Sequence, residues 1–163
     1  MATPGPIVVI GIGNDFRSDD GVGLYVARAI GALNLPGVTT IDGVADGSNL
    51  MTAWEDSRAV FIIDCALSGA EPGTIHTFDA LTEEIPADIF PRFSTHAIDI
   101  PESIKLGRLL ENLPPRLTVY AIEGENLAAG ADCTYKVKMA AEKVVAMMRK
   151  AIETLPAESD NDC

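Results

Sequence analysis

Hydrophobic positions fall into short unbroken runs separated by longer, spaced stripes. PIVVIGIG (6–13) is apolar, β-branched and ends at Gly-Asn, as a buried parallel strand does. From Asp20 to about Leu33, Val22, Val26, Ala29, Ile30 and Leu33 recur at helical spacing, with Ser18, Asp19 and Asp20 at the expected N-terminus. Pro36-Gly37 breaks the chain before a second short strand, VTTIDG (38–43), and a helix over about Asn49–Glu55. AVFIIDCA (59–66) is the strongest strand signal, its apolar run ending at Asp64.

After a turn at GAEPG (69–73), TIHTF (74–78) reads as a fourth strand. Residues 79–100 have little periodicity and read mostly as loop. Pro101 opens a helix at about 102–113 with Ile104, Leu106, Leu109 and Leu110 on its apolar side, and Pro114-Pro115 ends it. RLTVYAIEG (116–124) is a fifth strand. A long helix follows from about Tyr135 to Thr154, its stripe made by Val137, Ala140, Ala141, Val144, Val145, Met148 and Ile152. Strands alternating with helices predict an α/β, three-layer fold: a mostly parallel, twisted sheet of about five strands with helices on both faces. Residues 1–155 read as one domain, and 156–163 as an acidic, disordered tail.

Charge narrows the partners. Twenty-four acidic residues against 12 basic ones give a net charge of −12, which disfavours nucleic acid and anionic membranes. No run reaches the ~20 apolar residues of a spanning helix. MATPGPIVVIGIG lacks the basic start and small-residue cleavage site of a signal peptide, so a cytoplasmic protein is expected. Cys65, Cys133 and Cys163 form neither a disulfide framework nor a CxxC zinc motif, and reduced thiols are the simpler reading.

The chemistry centres on GIGNDFRSDDGVG (11–23). Gly11 and Gly13 match the start of a dinucleotide fingerprint, but Phe16 stands at the third glycine position and there is no P-loop lysine. Two adjacent carboxylates would repel a phosphate, so no nucleotide cofactor is expected. A cation suits the loop better. Ligands of open parallel sheets bind outside the carboxyl ends of the strands. Asp19 and Asp20 follow strand 1 there, Asp64 ends strand 3, and a long loop brings His96. Two carboxylates and an imidazole suit a borderline divalent cation such as nickel, zinc or iron. Simpler roles compete: Asp19 or Asp20 as helix caps, Asp64 bonded to backbone, His96 as a surface histidine. His76, within TIHTF, reads as structural. Cys65 follows Asp64 directly and points to the opposite face of its strand. Neither GxSxG nor HExxH occurs.

GIGNDFRSDDGVG, then FIIDCA, then STHAI, with RLTVYAIEGENLAAG later, resemble in order and spacing the nickel–iron hydrogenase maturation endopeptidases. The resemblance covers roughly the first 130 residues. It implies a five-stranded twisted sheet between helices. It also implies removal of a C-terminal extension from the hydrogenase large-subunit precursor after nickel is installed. Asp20, Asp64 and His96 would be the metal-contacting and catalytic residues, the family using aspartate or glutamate at the first position. The nickel would come with the substrate. Many members carry Asp-Gly-Gly followed by Thr or Asn after strand 2. Here Asp42-Gly43-Val44-Ala45 keeps only the first two, so Asp42 is a weaker catalytic candidate and the substrate subtype is open. A non-catalytic nickel-sensing or metallochaperone module on the same fold is the alternative. A nucleoside or peptidyl-tRNA hydrolase is a third reading, which the negative charge disfavours for RNA.

Overall fold

The computed structural model describes residues 5–43, 47–91 and 99–156. Among the described residues four α-helices and five strands follow in chain order: β1 (Ile7–Gly11), α1 (Val22–Ala32), β2 (Val38–Asp42), α2 (Gly47–Trp54), β3 (Ala59–Ala66), β4 (Ile75–Asp79), α3 (Ile100–Leu109), β5 (Leu117–Glu123) and α4 (Tyr135–Thr154). The strands form one sheet in the order β2-β1-β3-β5-β4. All neighbours pair in parallel except β4, which runs antiparallel to β5 at the edge. That is the mostly parallel, helix-flanked sheet the pattern predicts.

Alternation along each strand divides the core in two. Val9, Ile63 and Ile122 point towards α1 and α4, where Val26, Ile30, Val144 and Met148 meet them. Val8, Ile10, Ile62 and Val119 point towards α2 and α3, against Leu50, Trp54 and Ile104. β1 and β3 are buried along their whole length because helices cover both faces. Among the described residues no helix is long and apolar enough to cross a membrane.

Most elements lie where the pattern puts them, but α3 differs. It begins at Ile100, with Asp99 accepting a hydrogen bond from the Glu102 amide at its start. Its buried side is Ile100, Ser103, Ile104 and Gly107, whereas Leu109 is 82% exposed and Leu106 and Leu110 are also in solvent. Gly107 explains the rotation. A Cβ there would lie 2.7 Å from Leu113 and 3.0 Å from Trp54, so the helix turns its narrow side to the sheet layer. The segment called loop before α3 also has a short 3-10 turn at Ala87–Ile89, with Ile85 and Ile89 buried.

Candidate active site

The loop from β1 to α1 is set by close backbone contacts. Gly13 has φ +141°, and a Cβ on it would fall 1.9 Å from the Asp20 carbonyl oxygen. A Cβ on Gly23 would fall 2.3 Å from the carbonyl oxygens of Ile12 and Ile63. These glycines let the start of α1 rest directly on the carboxyl ends of β1 and β3. The Asn14 amide donates to the Asp20 carbonyl at 3.2 Å, closing the turn. A 3-10 turn over Ser18–Gly21 then leads into α1.

The two adjacent aspartates have different jobs. Asp19 is fully buried and saturated: one oxygen accepts from the Glu125 amide at 2.8 Å and the Asn126 amide at 2.9 Å, the other from the Thr134 amide at 2.6 Å. The Thr134 hydroxyl donates to both oxygens. Asp19 therefore clamps the loop between β5 and α4 rather than capping α1.

Asp20 faces the sheet edge. It is 8% exposed, and burial raises its pKa, opposed by the Arg17 charge and the Asn14 amide. Asp64, in β3, is 6% exposed and accepts a hydrogen bond from the Cys65 amide at 2.7 Å. Burial holds its pKa well above the usual carboxylate range, and the Asp20 charge pushes it further the same way, against the Cys65 amide. Two desolvated carboxylates thus sit within reach of each other's field, an arrangement that favours a proton or a cation between them.

Asp42 ends β2, where its carboxylate accepts from Arg28 Nε at 2.6 Å. Arg28 also holds Asp15 through both terminal nitrogens, at 2.8 and 3.0 Å. His96 lies outside the described residues, as do Val44 and Ala45 and the tail beyond Pro156. Ile89 and Phe90 pack on Ala66 and Ala121, and the Leu67 amide donates to the Ile89 carbonyl at 2.6 Å. Among the described residues no three His, Cys, Asp or Glu side chains converge on one point.

Sequence reading missed Glu123. It ends β5 opposite Ala66 and is buried, accepting from the Ser68 amide and hydroxyl, the Gly69 amide and His76 Nε2. Burial raises its pKa, but those bonds outweigh burial and hold the carboxyl below its usual value. His76 is accordingly a structural partner, as expected. The signal for Glu123 was available: an acidic residue closing a strand on the same edge as Asp64. Cys65 points into the α1–α4 core, and burial raises its thiol pKa beyond use as a nucleophile, with the Asp64 charge adding to that.

Residues 25–151 match the family model described as hydrogenase maturation protease. The chain belongs to the hydrogenase maturation protease family. Within it, a Methanocaldococcus jannaschii protein is 33% identical over 102 residues, spanning 61% of this chain and 65% of that one. The hydrogenase expression/formation protein HupD of Rhodobacter capsulatus is 29% identical over 119 residues, or 71% of this chain and 56% of HupD. The match thus spans less than two thirds of either curated relative. The family fold is recognisable in solved structures. The hydrogenase maturating endopeptidase HybD of Escherichia coli superposes with a TM-score of 0.72 at 24% identity, over 90% of this chain and 93% of that one. The nickel–iron hydrogenase maturation protease HybD of Thermococcus kodakarensis gives 0.69 at 20% identity, over 90% and 98%.

Proposed function

We propose that this protein is an endopeptidase that removes the C-terminal extension of a nickel-loaded hydrogenase large-subunit precursor. The observation that carries this reading is the Asp20–Asp64 pair: two buried carboxylates, both with raised pKa, at the carboxyl edge of a sheet in a chain of the maturation protease family. Hard oxygen donors lacking sulfur suit a metal that arrives already held by the substrate. Asp20 and Asp64 would take free positions on the precursor's nickel, and His96 would supply a third, neutral donor. Docking through the metal would fix the scissile bond beside these residues, and such positioning contributes several kcal/mol to a barrier. Asp42, tied to Arg28, would act on the site only indirectly. Its compartment would be the cytoplasm, in keeping with the net charge of −12 and the free thiols of Cys65 and Cys133.

Incubation with nickel-loaded and nickel-free precursor, followed by mass analysis, tests this. Only the loaded precursor should be shortened, and Asp20→Ala, Asp64→Ala and His96→Ala should each stop the cut. Equal cleavage of both precursors would remove nickel from the reading. Binding of the loaded precursor without any cut would leave the non-catalytic nickel-sensing module, which the family's description as proteases disfavours.

A further inference from the structure

We propose that the free edge of β4 receives the precursor's C-terminal extension as an added strand, several residues away from the cut bond. The proposal rests on the hydrolase reading and adds to it a recognition surface outside the carboxylate site.

β4 ends the sheet order, and no strand pairs with its outer side among the described residues. Hydrogen-bonded and non-bonded pairs alternate along an antiparallel ladder. The Ala80 amide donates to the Leu117 carbonyl and the Glu123 amide to the Thr74 carbonyl, so Thr74, His76, Phe78 and Ala80 turn their backbone groups towards β5. Ile75, Thr77 and Asp79 turn theirs outwards. Asp79 is closed off locally: its amide donates to Glu83 Oε2 at 3.0 Å, and its carbonyl accepts from the Thr82 and Glu83 amides. Ile75 and Thr77 keep outward N–H and C=O groups with no partner among the described residues. Edge strands are commonly blunted by lysine, proline or a bulge. The strand IHTFD carries neither lysine nor proline, and its register with β5 runs unbroken. The edge is also held in place. The Gly73 amide donates to the Glu123 carbonyl at 2.8 Å, and His76 Nε2 lies 3.2 Å from Glu123 Oε2. A fixed template gives up little freedom when a chain pairs with it.

Position and charge identify the occupant. Ala121 of β5 pairs with His76 on one side and with Asp64 on the other. At the usual strand spacing an added strand would lie roughly 14 Å from the Asp64 backbone, a distance that about four extended residues span. A chain cut beside Asp64 therefore reaches this edge a few residues from its cut bond. An extended segment carries unpaired backbone groups, and an open edge satisfies them. Asp79, Glu83 and Glu84 set carboxylates at the far end of β4. They repel a second copy of a chain with net charge −12 and favour a basic side chain on the added strand.

Amide exchange and steady-state cleavage test the seat. A synthetic peptide of the extension's sequence, at millimolar concentration, should slow exchange at Ile75 and Thr77 about tenfold. His76 and Phe78, already paired with β5, should be unaffected. Thr77→Pro removes the outward donor without touching the β5 ladder, and on nickel-loaded precursor it should raise KM about tenfold with kcat within about twofold. Cutting the extension back to about three residues, too short to reach β4, should raise the wild-type KM similarly, and Thr77→Pro should then add nothing. An unchanged melting temperature separates these effects from misfolding. If the peptide leaves exchange at Ile75 and Thr77 unaltered and Thr77→Pro keeps the wild-type KM, the edge is not the seat. If these amides slow with rising protein concentration in the absence of peptide, a second copy takes the edge and the proposal falls. If the wild type binds precursor without cutting it, the hydrolase reading fails instead. The edge is then read from the same two amides, protected by bound precursor if the proposal holds and unprotected if it does not. A wild type that neither binds nor cuts overturns both.

Discussion

Gly13 rests on the backbone of Asp20, with no room for a single carbon between its Cα and the Asp20 carbonyl oxygen. The glycine that opens the strand-to-helix turn is therefore what sets the height of Asp20 above the sheet. Gly13→Ala would force a side chain into both a backbone clash and a φ of +141°. We expect a loss of about 2–4 kcal/mol in chemical denaturation, with processing lost alongside.

Asp19 and Asp20 should behave oppositely on substitution, although they are neighbours. Asp19→Ala removes the acceptor of three amides and the Thr134 hydroxyl and strands those donors in a buried loop. A destabilisation of about 2–4 kcal/mol is expected in urea unfolding. Asp20→Ala removes a carboxylate whose burial is unfavourable, so it should leave the unfolding midpoint unchanged or raised while abolishing cleavage. A large stability loss in Asp20→Ala would contradict its placement.

Asp64 predicts an unusual acid response. Its folded pKa lies well above the ordinary 3.8, so the native state holds a proton that the unfolded state has released. Its contribution to stability therefore falls as pH rises from about 3.8 through the raised native value. Asp64→Asn, which can still accept from the Cys65 amide, should flatten this part of the stability–pH curve. It should also raise stability at pH 7 by about 1–2 kcal/mol, measured by denaturant titration across pH.

Glu123 predicts the opposite sign. Its folded pKa lies below the ordinary 4.5, so its stabilisation is complete above 4.5 and is lost as pH falls through the lower folded value. Glu123→Gln keeps one acceptor oxygen but loses the charge that binds Ser68, Gly69 and His76. The expected cost is about 1–3 kcal/mol at pH 7, with greater amide exchange in the loop between β3 and β4.

Arg28 bridges Asp15 and Asp42 at the surface, where water screens charge. Arg28→Ala should change stability by no more than about 1 kcal/mol. If Asp42 has only an indirect role, kcat on the precursor should change little as well.

The sequence by itself determined the sheet, because its central strands β1 and β3 are nearly continuous apolar runs and its longest helix carries a clear apolar stripe. Ile62 and Ile63, and Val144 and Met148, are buried as their spacing requires. It also placed Asp20 and Asp64 on one edge, since ligand-binding groups of a parallel sheet collect beyond the carboxyl ends of its strands. Only the tertiary structure decided what each acid does there. Asp19 became a clamp because Thr134 and Glu125, far along the chain, fold back onto it. Glu123 became a buried hub because β4 returns antiparallel and brings His76 beside it. The apolar positions of α3 were misassigned for the same reason: Leu106, Leu109 and Leu110 have helical spacing, but Trp54 and Leu113 accept only the side bearing Gly107. Periodicity records which residues can share a face. Which partner meets that face depends on contacts between segments distant in the chain, and no local pattern encodes them.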